Sequence, residues 1–400
     1  MSRHLVLFVV LMGFVTLISP FESLAEEDIL VSGFSNPPAE AKARTWWHWV
    51  NGHVSREGII ADLEAMHRLG IQEAQLFNVD MGIPNGTLKY LSPEWLDMLA
   101  FAVSEAKRLG MEIGLNNSAG WSSTGGPWIT PEYAMQQIVY SDTLCVGGKT
   151  FRGKLPQPTV RHDYYRDIAV FAFPKPEQEI KLDELALKSL SGHSFRNHLL
   201  PDDKPIVSDA CIRLTDIIDL TSSLQPDGTL AWEAPEGEWV ILRLGHTPTG
   251  AMNAPAPVEG RGLECDKMNK AAIDAYWNGG IQPILDKLGK EVGATFKNCI
   301  IDSYEVGCNN WTIGFENEFE RLRGYDCWFY LPALAGYYLE SGEITERFLW
   351  DFRRTVGDLI SENYYHYFAE RCHKVGLQFS VEPYGDHSNV CRSVGLEISS

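Results

Sequence analysis

The sequence predicts an α/β fold: a (β/α)8 TIM-type barrel, incomplete within these 400 residues, with an inserted β-sandwich-like module. Three observations lead there. First, HRLGIQEAQLF (67–77), KRLGMEIGLNN (107–117) and HKVGLQFSVEPYG (373–385) share one pattern of basic residues, a glycine and an apolar run. Basic side chains suit the negative end of a helix, and glycine accepts the left-handed backbone that ends it, so each segment is a helix-to-strand junction. Second, strands that alternate with helices imply a parallel sheet. Third, the predicted strands end in polar residues, Asn51, Asn78, Asn116, Asn117, Glu305 and Glu382, at the ends where a barrel gathers its active site.

Taken in order, the chain opens with Arg3 and His4, an apolar run over 5–18 and a Ser23-Leu24-Ala25 step. That is the pattern of a secretory signal peptide over residues 1–25, with an uncleaved anchor as the alternative. The apolar run, about 14 residues, is short of the roughly 20 that a spanning helix needs, so no membrane span is expected after cleavage and the mature chain is expected to be secreted or periplasmic. Residues 26–140 read as the first part of the barrel. TWWHWVN (45–51), EAQLFN (73–78) and MEIGLNN (111–117) are its strands. Ser55 caps a helix that turns Ile59, Leu63 and Met66 inward, and Ser92-Pro93-Glu94 opens another with Leu96, Leu99, Val103 and Leu109 on one face.

Between 141 and 260 the rhythm changes to prolines, glycines and short β-branched runs, with hairpins expected around Pro226-Asp227-Gly228 and Pro235-Glu236-Gly237. Residues 261–400 return to the barrel through NCIIDSYE (298–305) and LQFSVE (377–382).

Composition narrows the function. Thirty-four basic residues against 53 acidic ones give a formal charge of −19, which repels nucleic acid and anionic lipid. Eight cysteines without CxxC pairing read mostly as buried apolar residues, with one or two bridges open.

The chemistry is sought at the strand ends. Glycoside hydrolysis requires two carboxylic acids, one to protonate the leaving oxygen and one to activate water or attack, and Glu305 and Glu382 are the candidate pair. Asp302, nearer the middle of its strand, reads as their hydrogen-bonding support. Aromatic rings with polar rims suit sugars, so Trp47, Trp121 and Tyr304 join Asn51, Asn116, Asn117 and Asp302 as candidate substrate contacts. The loop NNSAGWSSTGGPW (116–128) lacks the spacing of a phosphate cradle. His48 and His53 fit neither HxH nor HExxH, which favours hydrogen bonding over zinc, and there is no GxSxG elbow for a serine hydrolase.

These residues resemble the α-L-rhamnosidases of glycoside hydrolase family 106. The resemblance is carried in order by FSNPPAEAKARTWWHWVNGHVSREGIIADLEAMHRLGI, SPEW, GWSSTGGPWITPEYAMQ, DSYEVGCNNWT, RRTVGDLISENYY and VEPYG. It implies a (β/α)8 catalytic barrel with accessory β-domains, a secreted protein that degrades polysaccharide, inverting hydrolysis of terminal α-L-rhamnosides and a calcium ion with ligands unknown. Glu305 and Glu382 are the implied catalytic pair, with acid and base unassigned. The substrate is then an oligosaccharide or polysaccharide such as a pectic side chain. Only five barrel strands are legible before Ser400, so the barrel is expected to be cut short. A chain that binds sugar without turnover is the alternative, and a transition-metal barrel hydrolase a third reading.

Overall fold

The computed structural model describes residues 29–122, 124–192 and 206–382. The expected leader and Tyr384 lie outside these residues. The chain divides into a short unit ending at Ala43 and a large one from Arg44. The short unit carries a helix, Ile29–Ser35, and a single turn, Ala39–Ala41.

The large unit is a mixed α/β fold on a parallel five-stranded sheet. Its strands are β1 (Arg44–Val50), β2 (Glu73–Val79), β3 (Glu112–Asn116), β10 (Phe296–Ile301) and β11 (Gln378–Val381), hydrogen-bonded in that order. Strand β2 is buried along its whole length, as expected of a parallel strand covered on both faces. Helices α1 (Arg56–Arg68) and α2 (Pro93–Leu109) form where the sequence expects them. The hydroxyl of Ser55 accepts the Gly58 amide at 3.0 Å, and that of Ser92 the Trp95 amide at 3.2 Å. Gly110, at φ 68°, closes α2 in the left-handed region that a side chain would strain.

Parallel register decides which side chains share a face. His48 pairs with Phe77, Leu115 with Leu76, and Ile300 with Asn116 and Ser380. One face therefore carries Trp47, Trp49, Leu76, Leu115, Cys299 and Ile301, in a single apolar core with Ile59, Leu63, Leu99 and Val103 of α1 and α2. The opposite face carries Trp46, His48, Phe77, Asn116 and Ile300. A small cluster of Phe77, Val79 and Ile300 there is flanked by Val50 and Trp121. Trp46 on this face is 48% exposed.

The intervening segment is β-rich. Strands β4 (Gln136–Val146), β9 (Glu238–Pro248), β6 (Arg166–Pro174) and β7 (Ile218–Asp219) make an antiparallel sheet in that order, and β5 (Lys149–Lys154) pairs with β8 (Thr229–Ala234). Strand β4 begins upstream of residue 141, where the composition changes. Its first residue pairs with Pro248, so the start of β4 and the end of β9 lie side by side.

The two hairpins expected from turn residues do not form as such. The Asp227 turn is present, its carboxylate accepting the Thr229 amide at 3.0 Å, but the strand before it pairs with β6. Pro235-Glu236-Gly237 joins β8 to β9, which belong to different sheets. It is a corner, matched by Gly147-Gly148 between β4 and β5, and the Gly147 amide donates to the Gly237 carbonyl at 2.8 Å. Turn chemistry is local, whereas partner choice follows burial. Alternate residues of β6 serve two cores: Ala169, Phe171 and Phe173 face the main one, while Val170 and Ala172 join Leu155, Leu230, Trp239 and Ile241 between the sheets. At Gly147 a Cβ would lie 1.6 Å from the Pro235 carbonyl oxygen.

No disulfide joins two of the described cysteines. No described helix is long and apolar enough to cross a membrane.

Candidate active site

Strand β10 ends at Ile301, earlier than the sequence suggests, so Asp302, Ser303, Tyr304 and Glu305 form the loop that leaves its carboxyl end. On the adjacent strand the Glu382 amide donates to the Ile301 carbonyl at 2.9 Å, continuing the ladder by one residue. Register thereby sets Glu382 beside Asp302. Asp302 is buried and accepts the Ser303 amide at 2.8 Å. The two carboxyls share a hydrogen bond. Burial, then the charge of Asp302, then that hydrogen bond, then the charge of Glu305 push the Glu382 carboxyl up to about 7. Two like charges in one half-buried site disfavour double ionisation, so Glu382 gives up its proton at a higher pH than an ordinary carboxyl.

Glu305 is exposed. Its backbone is fixed by donation of its amide to the Ser122 carbonyl at 3.0 Å. Beside the acids stands His48, whose ring lies 6.1 Å from Trp121 and 5.5 Å from Phe77. Partial burial holds the imidazole below its usual pKa, and the Asp302 carboxylate only partly offsets this. The shift favours the neutral imidazole of His48 on the face that carries the acids.

The remaining candidates separate by face. Trp121 packs on the acid-bearing face. Trp47 does not: it lies on the helix side, where its indole donates to Asp62 at 3.0 Å. Odd and even positions of one strand point oppositely, and the run of tryptophans at 46, 47 and 49 hides which parity faces the acids. Asn51 is also removed from the role of sugar contact. Its amide nitrogen donates to Asp80, Asn85 and the Ile83 carbonyl, and its oxygen accepts the Met81 amide at 2.8 Å. It braces the loop after β2. Asn116 and Asn117 are buried; the former donates to the Ser118 and Gly120 carbonyls, the latter to the Thr124 hydroxyl. They shape the loop after β3. Tyr304 is buried beneath its own loop, with its ring 5.5 Å from the Lys267 ammonium, rather than open to the cleft.

A segment that sequence reasoning passed over ties these loops together. Asp266, fully buried and pushed up to about 6 by that burial, accepts Asn309 at 2.8 Å and Thr312 at 2.6 Å beyond the loop that carries Glu305. Glu264 and Lys267 pair at 2.7 Å with both side chains at 0% exposure. The only signal in GLECDK is three charges among apolar neighbours, which a solvated turn would also show.

Among the described residues no group of three or more His, Cys, Asp or Glu side chains is arranged to hold a metal ion.

Carboxylates at the carboxyl ends of neighbouring parallel strands, beside aromatic rings, are an arrangement that a glycoside hydrolase can use. A model of glycoside hydrolase family 106, described as alpha-L-rhamnosidase, matches residues 35–396, and the chain belongs to that family. The rhamnosidase from Novosphingobium sp. PP1Y has a similar structure, with a TM-score of 0.82 at 27% identity over 91% of this chain and 48% of its own. A protein of Formosa agariphila named "Putative beta-glucuronidase" is 63% identical over 355 residues, 89% of this chain and 30% of that protein. The chain spans about half of the solved relative and under a third of the curated one.

Proposed function

We propose that this chain carries catalytic carboxylates of an exported, inverting glycosidase that releases terminal α-L-rhamnose from plant cell-wall glycans such as pectic side chains. The observation that carries this reading is the Asp302–Glu382 pair beside Glu305 in a member of the rhamnosidase family. Glu382, still protonated near neutrality, is the general acid for the leaving oxygen. Glu305, open to solvent, is the carboxylate that activates water from the opposite face of the sugar. Asp302 keeps the proton on Glu382. An inverting site needs the acid and base roughly 6.5–9.5 Å apart, enough for that water. The five strands are read as part of a (β/α)8 barrel and the two-sheet segment as its sandwich-like insertion. The leader pattern at 1–25 supports export.

The name of the Formosa relative raises a uronic acid as the alternative sugar. Electrostatics argues against it, because among the described residues the charged groups that act on Glu382 are two carboxylates. A sugar carboxylate would enter a field of its own sign, whereas a neutral deoxy sugar meets no such repulsion. The test is hydrolysis of an aryl α-L-rhamnoside and an aryl β-glucuronide by the full-length protein, with the first-formed anomer read by NMR. Rhamnose released as the β-anomer is expected. Turnover of the glucuronide alone, or α-rhamnose as first product, would sink the proposal.

A further inference from the structure

The Glu264–Lys267 pair contacts no cleft surface, yet it lies between the two loops that carry the chemistry. The Lys267 ammonium donates to Glu264 Oε2 at 2.7 Å and to the Cys265 carbonyl at 3.1 Å. Glu264 Oε2 also accepts the Thr124 amide at 2.9 Å, and its Oε1 accepts the Ser122 hydroxyl at 3.4 Å. Ser122 in turn offers its carbonyl to the Glu305 amide, and its hydroxyl accepts the Ala254 amide at 2.7 Å. The Thr124 hydroxyl is bonded to the Tyr364 hydroxyl, and the rings of Tyr304 and Tyr364 lie 5.5 and 5.6 Å from the Lys267 ammonium.

We propose that Glu264, aimed by Lys267, is a positioning residue that fixes the loop after β3 and, through the Ser122 carbonyl, the backbone of Glu305. This rests on the reading of Glu305 as a catalytic carboxylate. A buried ion pair is a poor device for stability alone, since well-packed apolar residues of similar volume often serve as well. It is a good device for direction. The ammonium holds the carboxylate in one rotamer, and the carboxylate then presents fixed acceptors to one backbone amide and one hydroxyl of the opposite loop. A displacement of about 1 Å at Glu305 would cost on the order of a hundredfold in rate.

The experiment compares two neutral double variants of the full-length protein. Glu264→Leu with Lys267→Met removes the charges and the acceptors; Glu264→Gln with Lys267→Met removes the charges but keeps an amide oxygen for the Thr124 amide. Each is measured by hydrogen exchange at the peptides that carry Thr124 and Glu305, by thermal melting, and by kcat and KM on an aryl rhamnoside. The leucine variant is expected to lose protection at both peptides and at least ~10-fold in kcat with KM little changed. The glutamine variant should recover most of both, at a similar melting temperature.

Unchanged protection at both peptides in the leucine variant would overturn the proposal. So would equal kcat in the two variants, or global unfolding of both, because the pair would then serve the fold as a whole. If the wild-type protein lacks rhamnosidase turnover, the functional reading fails separately, and hydrogen exchange still decides whether the pair holds the two loops.

Discussion

Replacing Asp302 with asparagine keeps the shape and a hydrogen-bonding group beside Glu382 and removes the negative charge there. The Glu382 carboxyl stands at about 7 against an ordinary 4.5, raised by burial first, then by the Asp302 charge and its hydrogen bond, then by Glu305. Burial and Glu305 remain in the variant, so only part of the elevation is lost, about one pH unit for a neighbouring like charge. In the proposed role of general acid, Glu382 works protonated. The alkaline limb of kcat/KM should therefore fall from near pH 7 to about 6, costing about threefold at pH 6.5 and little at pH 5.

Stability must move with the same sign. A carboxyl whose pKa is raised on folding binds more protons in the native state, so its contribution is present below the unfolded pKa and is lost as pH rises from about 4.5 through 7. Asp302→Asn should flatten that decline. The assay is the pH profile of the full-length protein on a rhamnoside with a poor, alkyl leaving group, where proton donation limits the rate, alongside urea midpoints over the same range. An alkaline limb that coincides with that of the wild type would refute the reasoning.

Glu305→Gln should lower turnover by 10²- to 10⁴-fold while calorimetric affinity for rhamnose persists; near-normal turnover would remove Glu305 from the mechanism. Trp121→Ala should weaken sugar binding by about tenfold through the lost apolar face, seen as a rise in KM at unchanged melting temperature. Trp47→Phe should do the reverse, leaving KM alone while the lost bond to Asp62 costs about 1 kcal/mol in denaturant unfolding. Gly147→Ala should destabilise by about 2 kcal/mol or more, because the new methyl meets backbone at 1.6 Å and neither strand of the corner can yield; a wild-type melt would show the corner to be looser than described.

Much of the fold is legible in the sequence because its signals are local. The caps at Ser55, Ser92 and Gly110 and the five strands depend on hydrogen bonds and dihedral preferences within a few residues. The β-rich segment is less legible. Its turn residues mark real turns, but whether Pro235-Glu236-Gly237 closes a hairpin or rounds a corner depends on which sheet buries Trp239, a contact with Val170 and Leu155 that spacing does not encode. The site divides in the same way. Glu305 and Glu382 stand out as acids at strand ends, yet Asn51 and Tyr304 share that polar, aromatic signature and are turned inward to brace loops.

The opening to sugar chemistry therefore lies in parity and register rather than in composition. Trp46 and His48 share a face with Phe77, so a single step along β1 separates the cleft from the helix-packed core that holds Trp47. Register between β10 and β11 sets Asp302 against Glu382, and a slip of one residue would bring Ser303 there instead and return Glu382 toward an ordinary, ionised carboxylate. The acid's protonation is in this sense a property of strand pairing. What guards it is the ladder through Ile301 and the Asn298 amide, bonded at 3.0 Å to Ser380 and at 3.1 Å to the buried Glu73 deeper in the sheet, so polar contacts far from the sugar hold the alignment on which its chemistry depends.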